Sequence, residues 1–149
     1  MTKPVCFAVA VCLVGMLGCG KKELPVPRNT DQIFSWEEIT VTMSETGLLS
    51  VSGRVSGAYM NVKDVVFQLE PVIDDCDSCP FVPVDFFPVD VNTMWDSPES
   101  RDFQFVVLPR EGAVEYRWRL MGYNIVESMP EVRSTVQRVA PPEPLERPE

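Results

Sequence analysis

The sequence contains no histidine among its 149 residues. Histidine is the commonest general base and metal-binding imidazole in proteins, so His-paired nucleophiles and imidazole metal sites are excluded. Haem c attachment needs Cys-x-x-Cys-His, and Pro80 follows the only such cysteine spacing, Cys76 to Cys79. Carboxylates are plentiful, but no pair can be given acid and base roles. We therefore expect no catalytic residues, no metal and no cofactor.

Basic residues are also scarce. The chain has 13 lysines and arginines against 22 aspartates and glutamates, which gives a formal net charge of −9. Proteins that bind nucleic acid neutralise its phosphates with clustered lysine and arginine, and no basic stripe is present. We therefore expect no nucleic-acid partner.

Helical periodicity is missing from the chain outside its apolar N-terminus. Instead, apolar and polar residues alternate, as in LLSVSGRVSG, which is typical of a half-buried strand. The other alternating segments are EITVTMS, DVVFQLEP, RDFQFVVLP, EYRWRLMGY and, weakly, EVRSTVQRV. This pattern predicts an all-β fold, an antiparallel β-sandwich of about seven strands over residues 34–140.

The segment VLPREGAVEYRWRLMGYN, residues 107–124, resembles the corner between strands E and F of fibronectin type III domains. The resemblance implies a fibronectin type III or immunoglobulin-like sandwich that VRSTVQRV closes. The strand B tryptophan of that family is missing from LLSVSGRVSG, and we expect Trp36 or Trp118 to fill its place. The residues that carry the resemblance are Leu108, Pro109, Tyr116, Trp118, Leu120 and Asn124.

The N-terminus has the three regions of a secretory signal. Lys3 precedes an apolar run from Val5 to Leu17, and small residues follow at Gly18 and Cys19. The run has 13 residues, whereas a membrane-spanning helix needs about 20. We therefore predict a signal peptide over residues 1–18.

The stretch from Met16 to Cys19 resembles the lipobox of bacterial lipoproteins. The resemblance implies that Cys19 becomes the first mature residue and carries a thioether-linked diacylglycerol and an amide-linked acyl chain such as palmitate. The protein is then held at a membrane of the bacterial cell envelope by its N-terminal lipid. In enterobacterial lipoproteins, which this start resembles, an aspartate directly after the lipidated cysteine is associated with retention in the inner membrane. This chain has Gly20 at that position, which favours the periplasmic face of the outer membrane. A secreted protein with a free Cys19 is the alternative.

Two further segments flank the predicted sandwich. Residues 19–33 contain Pro25 and Pro27 without periodicity and are predicted to be a linker. Residues 141–149 are rich in proline and glutamate and are predicted to be a disordered tail.

The stretch DDCDSCPF allows three interpretations of Cys76 and Cys79. Neighbouring aspartates oppose a reactive thiolate, and zinc would lack two cysteine ligands. An oxidising exported compartment favours a local disulfide between the two. A periplasmic thiol-disulfide protein stays an alternative, as does a calcium-dependent adhesive module, although DDCDS lacks the usual calcium-loop spacing. The neighbouring aspartates are Asp74, Asp75 and Asp77.

The segment FVPVDFFPVDVNTMW is rich in apolar and aromatic residues. We expect it to form a C′ strand and an irregular crossover whose aromatics pack on the core. If they are exposed instead, Phe86, Phe87 and Trp95 would form an anchor for a protein partner. The function predicted from the sequence is a lipid-anchored, non-catalytic binding or scaffolding module with an envelope protein as its partner.

Mass analysis of the unreduced protein, taken from its native envelope, is expected to find Cys76 joined to Cys79. The reason is that an oxidising compartment converts two closely spaced thiols into a local disulfide. If both thiols instead react freely with an alkylating reagent before reduction, the prediction is wrong.

Overall fold

The structure is a computed structural model that describes residues 30–73, 76, 78–110 and 115–142. The predicted signal peptide, Cys19 and most of the linker and tail lie outside these residues. Within them, helix is limited to two short 3-10 turns and the single-turn helix α1 (Val91–Met94). The strands are β1 (Phe34–Met43), β2 (Leu49–Gly57), β3 (Val62–Pro71), β4 (Asp85–Val89), β5 (Asp102–Val107), β6 (Tyr116–Asn124), β7 (Val132–Arg133) and β8 (Gln137–Val139).

The strands form two antiparallel sheets, which confirms the all-β prediction. Sheet A has the order β1-β2-β5. Sheet B has the order β4-β3-β6, and both β7 and β8 pair with β6 on its far side. The expected C′ strand is β4, which pairs with β3 along one edge of sheet B.

The core lies between the sheets because alternate residues of each strand face inward. Phe67 on β3 meets Phe105 on β5 across the interior, with ring centroids 5.9 Å apart. Phe67 also lies 5.8 Å from the ring of Trp118 on the neighbouring strand. The largest fully buried side chains are Trp118, Tyr116, Phe34, Phe67, Phe103, Leu49, Leu69, Met94, Leu120, Val51, Val55 and Val65.

Both candidate tryptophans pack on this core. Trp118 is fully buried, whereas Trp36 is half-buried between Phe34 and Phe103, each with its centroid 5.5 Å away. The indole nitrogen of Trp36 donates to the backbone oxygen of Val132, 3.1 Å away. Trp36 therefore joins β1 to β7 and closes one side of the sandwich.

Two irregularities separate the observed strands from the predicted ones. β1 begins at Phe34, ahead of the alternating segment, because residues 34–37 also pair with β2. The alternation is interrupted after them, since Glu38 has a positive φ of 52° and the register shifts between Glu37 and Thr40. The last predicted strand is divided into β7 and β8 because the N–H and the hydroxyl of Ser134 both bond to the backbone of Leu120. Its N–H donates to the Leu120 carbonyl and its hydroxyl accepts the Leu120 N–H, each at 2.9 Å.

The sandwich has two ends that differ in what they carry. At the end where the described chain enters, called here the entry end, the carbonyl of Gln32 accepts from the side chains of Asn61 (3.1 Å) and Asn124 (2.7 Å). Residues 30–33, assigned to the linker by sequence, are thus bound to the sandwich. At the opposite end, called here the cysteine end, β3 ends beside the start of β6, and residues 72–84 connect β3 to β4.

Replacement of Gly122 by alanine is expected to lower the free energy of unfolding by about 1–3 kcal/mol, because overpacking forces core shifts. A Cβ there would lie 2.6 Å from a ring carbon of Trp36 and 2.7 Å from one of Phe34. Urea unfolding of Gly122→Ala is compared with Ser52→Ala, a control at an exposed position of β2. Equal unfolding midpoints for the two variants would contradict this packing.

Candidate functional site

The two cysteines lie close together in the segment of residues 72–84, called here the cysteine loop. Cys76 and Cys79 are at disulfide-bonding distance, with Cα atoms 5.5 Å apart, as the predicted disulfide requires. The N–H of Cys79 points to the carbonyl of Cys76 at 3.4 Å, so the pair encloses a tight turn. The three aspartates of DDCDSCPF lie outside the described residues.

Arg117 attaches this loop to sheet B. Its Nε and Nη2 donate to Oε2 of Glu70 at 3.0 and 2.6 Å. Its Nη1 donates to the carbonyl of Cys79 (2.8 Å), and Nη2 also donates to that of Pro80 (2.9 Å). The side chains of Arg117 and Glu70 are only 12% and 18% exposed. This partly desolvated, charge-assisted network therefore stabilises the loop far more than an exposed ion pair could.

The network follows from strand pairing. Glu70 on β3 is directly opposite Arg117 on β6, and Gln68 is opposite Arg119. Residues on one face of an antiparallel pair meet across the strands, and opposite charges there attract. The alternation in β6 already places both arginines on the outer face of sheet B, so this part of the site was visible in the sequence. The loop carbonyls that complete it have no sequence pattern.

Phe81 covers the second arginine. The Arg119 guanidinium lies 5.0 Å from the centre of the Phe81 ring and donates to Oε1 of Gln68 at 2.7 and 3.1 Å. Burial, and then the nearby charge of Arg133, lower the pKa of Arg119. Arginine stays protonated at physiological pH despite such a shift. Phe81 thus rests on a cation and fixes the loop beyond the cysteines.

The chain that follows Phe81 exposes apolar side chains at every second position. Val82, Val84 and Phe86, called here the apolar row, are 61%, 59% and 57% exposed. Their backbone is tied down, since the N–H of Val82 donates to Glu70 Oε2 (3.2 Å) and that of Val84 to the Leu69 carbonyl (2.9 Å). The side chains of the apolar row are therefore exposed to solvent, while their backbone is held against β3 by hydrogen bonds.

The aromatic residues selected from the sequence do not form one cluster. Phe87 and Trp95 are half-buried and pack on the core, as the sequence analysis expected. The Trp95 ring meets Tyr59 edge-on at 5.9 Å, away from the cysteine loop. Phe86 is exposed and belongs to the apolar row. Its neighbours Val82 and Val84 were not predicted to belong to this surface, although their alternation with Phe86 was a usable signal.

Prolines interrupt the edge formed by this segment. Pro83 and Pro88 flank Phe86, and proline has no N–H to offer to a neighbouring strand. Natural sheets protect their edges from unwanted strand addition in this way. The edge of sheet B beside the apolar row is therefore poorly suited to the addition of a continuous strand.

Among the residues that the structure describes, no three His, Cys, Asp or Glu side chains come together as a possible metal site. The aspartates on which the calcium alternative depends are not among those residues, so it stays open. The described helices are also all too short or too polar to span a bilayer.

No model of a known protein family matches this chain, and no curated protein is significantly similar to it. The candidate site is therefore defined by its own contacts, namely the cysteine loop, the Arg117–Glu70 pair and the apolar row.

Replacement of Arg117 by glutamine is expected to reduce stability by about 2–3 kcal/mol, because hydrogen bonds to charged groups are lost and Glu70 is left without its cation. Amide exchange at Val82, whose N–H Glu70 holds, is expected to accelerate as well. The matched control is Arg54→Gln, which removes an ion pair to Asp102 in which both side chains are nearly half exposed. Such a pair is screened by water, so little change is expected there. Equal effects of both substitutions would contradict the role given to Arg117.

Proposed function

We propose that this protein is a lipid-anchored, non-catalytic protein of the bacterial cell envelope that binds or scaffolds another envelope protein through the apolar row. The observation that carries this proposal is the display of Val82, Val84 and Phe86 on a loop fixed by Arg117. Exposed apolar side chains in one row are a common mark of protein interfaces. Their fixed backbone means that little conformational entropy is lost when a partner binds.

The surroundings of the apolar row also suit a protein interface. Such interfaces combine an apolar centre with a polar rim. Asp85 lies next to the row in the chain, and its carboxylate pairs with Arg110 at 3.3 Å. Arg110 is 85% exposed and can reach a bound partner. The row and this ion pair together offer apolar contact area with charges at its border.

The sandwich is proposed to be of the fibronectin type III or immunoglobulin-like kind. The strand order supports this: the first, second and fifth strands form one sheet, and the third, fourth and sixth form the other. The final strands return beside the sixth, as in those domains. Tyr116, which carries the resemblance to the family's corner, is fully buried at the start of β6.

The anchor is proposed to be a lipid on Cys19. The lipobox-like stretch from Met16 to Cys19 supports this, and several acyl chains hold a protein stably where a single chain does not. With Gly20 after the lipidated cysteine, the periplasmic face of the outer membrane is the proposed location.

A thiol-disulfide function is the second candidate, and one contact favours it. Cys79 is exposed, and the cationic Arg117 donates to its backbone carbonyl. A nearby cation lowers the pKa of a thiol and makes it more reactive. Glu70, however, neutralises that cation at 2.6 Å. The reduction potential of the cysteine pair separates this function from a structural disulfide.

Truncation of Phe86, the aromatic side chain of the apolar row, is expected to weaken partner binding in cells that express the full-length protein. A photo-reactive amino acid in place of Val84 should give a discrete crosslinked protein product. Phe86→Ala should reduce its yield about tenfold or more, because an interface anchor contributes about 1–2 kcal/mol or more.

The matched control is Val106→Ala, which truncates a side chain that is 61% exposed on sheet A. It should leave the product unchanged. The proposal is overturned if no product forms at Val84, or if Val106→Ala reduces the yield as much as Phe86→Ala.

A further inference from the structure

The first described residues, 30–33, lie at the entry end of the sandwich. Besides the bonds of Gln32, the Ile33 carbonyl accepts the N–H of Ala58 at 3.1 Å. Ten residues separate Cys19 from Thr30. Fully extended, such a segment spans at most about 40 Å, at roughly 3.3–3.6 Å per residue. A lipid on Cys19 therefore keeps the entry end within about 40 Å of the bilayer surface.

The entry end carries apolar side chains without any covering element in the described structure. Met60 is 70% exposed and Ile125 is 53% exposed. The two are neighbours, because the N–H of Ile125 donates to the carbonyl of Asn61 at 2.9 Å. Beside Met60, a cleft of about 340 Å³ is lined by Tyr59 and Trp95 among others. This end thus combines two exposed aliphatic side chains with two half-buried aromatic rings.

The polar groups at this end fit the headgroup layer of a membrane. Tyrosine and tryptophan are enriched where membranes meet water, because each ring has an apolar body and a polar edge. The guanidinium of Arg101 lies 5.4 Å from the centre of the Tyr59 ring, where it can meet lipid phosphates. Four carboxylates lie at the same end, so the fit is to largely zwitterionic headgroups; they belong to Asp31, Asp96, Glu99 and Glu127.

We propose that the entry end, formed by Tyr59, Met60, Trp95, Arg101 and Ile125, rests on the phospholipid surface to which Cys19 is anchored. The cysteine end then points away from the bilayer. Val82 lies beside Glu70, about 25 Å along β3 from its first residue, at roughly 3.3 Å per residue. The orientation, which rests on the proposed lipid anchor, presents the apolar row to proteins beyond the lipid surface.

The test uses the full-length lipidated protein, purified from bacterial membranes and placed in vesicles of phosphatidylethanolamine with a minority of phosphatidylglycerol. A photo-reactive benzoylphenylalanine replaces Met60 or Ile125 at the entry end, or Val82 at the cysteine end. All three positions are exposed, so the sandwich should tolerate the larger side chain. Mass analysis then counts lipid adducts at each position. Several-fold more adducts at Met60 and Ile125 than at Val82 are expected.

A second readout avoids the bulky replacement. Brominated lipids in the same vesicles should quench tryptophan emission, and most of the quenching should disappear in Trp95→Phe. Trp118 and Trp36 serve as internal references, because one is buried and the other half-buried within the sandwich.

The outcomes separate the two proposals. If Cys19 carries lipid but adducts are equal at both ends or absent at the entry end, the orientation is overturned and the anchor stands. If mass analysis finds no lipid on Cys19, and Cys19→Ser leaves fractionation with membranes unchanged, the anchor and the orientation both fail.

Discussion

The two-residue period of β6 is the constraint on which both faces of this molecule depend. Tyr116, Trp118 and Leu120 point inward and supply much of the core. The residues between them, Arg117 and Arg119, necessarily point outward, where they hold the cysteine loop. One strand therefore builds the interior and fixes the candidate binding surface. A shift of register by one residue would exchange the two faces, so the register that buries the core also fixes where the two arginines lie.

The disulfide and the arginine network act differently on the cysteine loop. A disulfide that closes so small a ring stabilises by at most about 2 kcal/mol in the chain-entropy account. It restricts the turn between Cys76 and Cys79 but does not connect that turn to the sheet. The connection is made by Arg117, through the carbonyls of Cys79 and Pro80. The loop is therefore shaped by one interaction and positioned by the other, and reduction alone would leave the apolar row attached.

The strands that could be predicted from the sequence are those that bury one face in the core. β2, β3, β5 and β6 each have one buried face, so their alternation was readable. The start of β1 was not readable, because the unusual backbone at Glu38 interrupts the pattern. The division between β7 and β8 depends on the hydroxyl of Ser134, which bonds across the sheet in a way that no periodicity reveals. Of the site, the cysteine spacing, Phe86 and the outward arginines of β6 could be predicted from the sequence. The carbonyls that Arg117 binds depend on where the loop lies in space.

The acidic composition sets a condition on the proposed orientation in which the entry end faces lipid. The chain has a formal net charge of −9, and carboxylates lie at the entry end itself, among them Asp96 and Glu99. Screening limits repulsion from anionic lipid to about 8–10 Å at physiological salt, so only carboxylates close to the bilayer are affected. Apolar contact through Met60 and Ile125 therefore has to outweigh that repulsion, which a surface with a small share of anionic lipid makes easier. In the proposed orientation the apolar row lies at the other end of the sandwich, free for a protein partner.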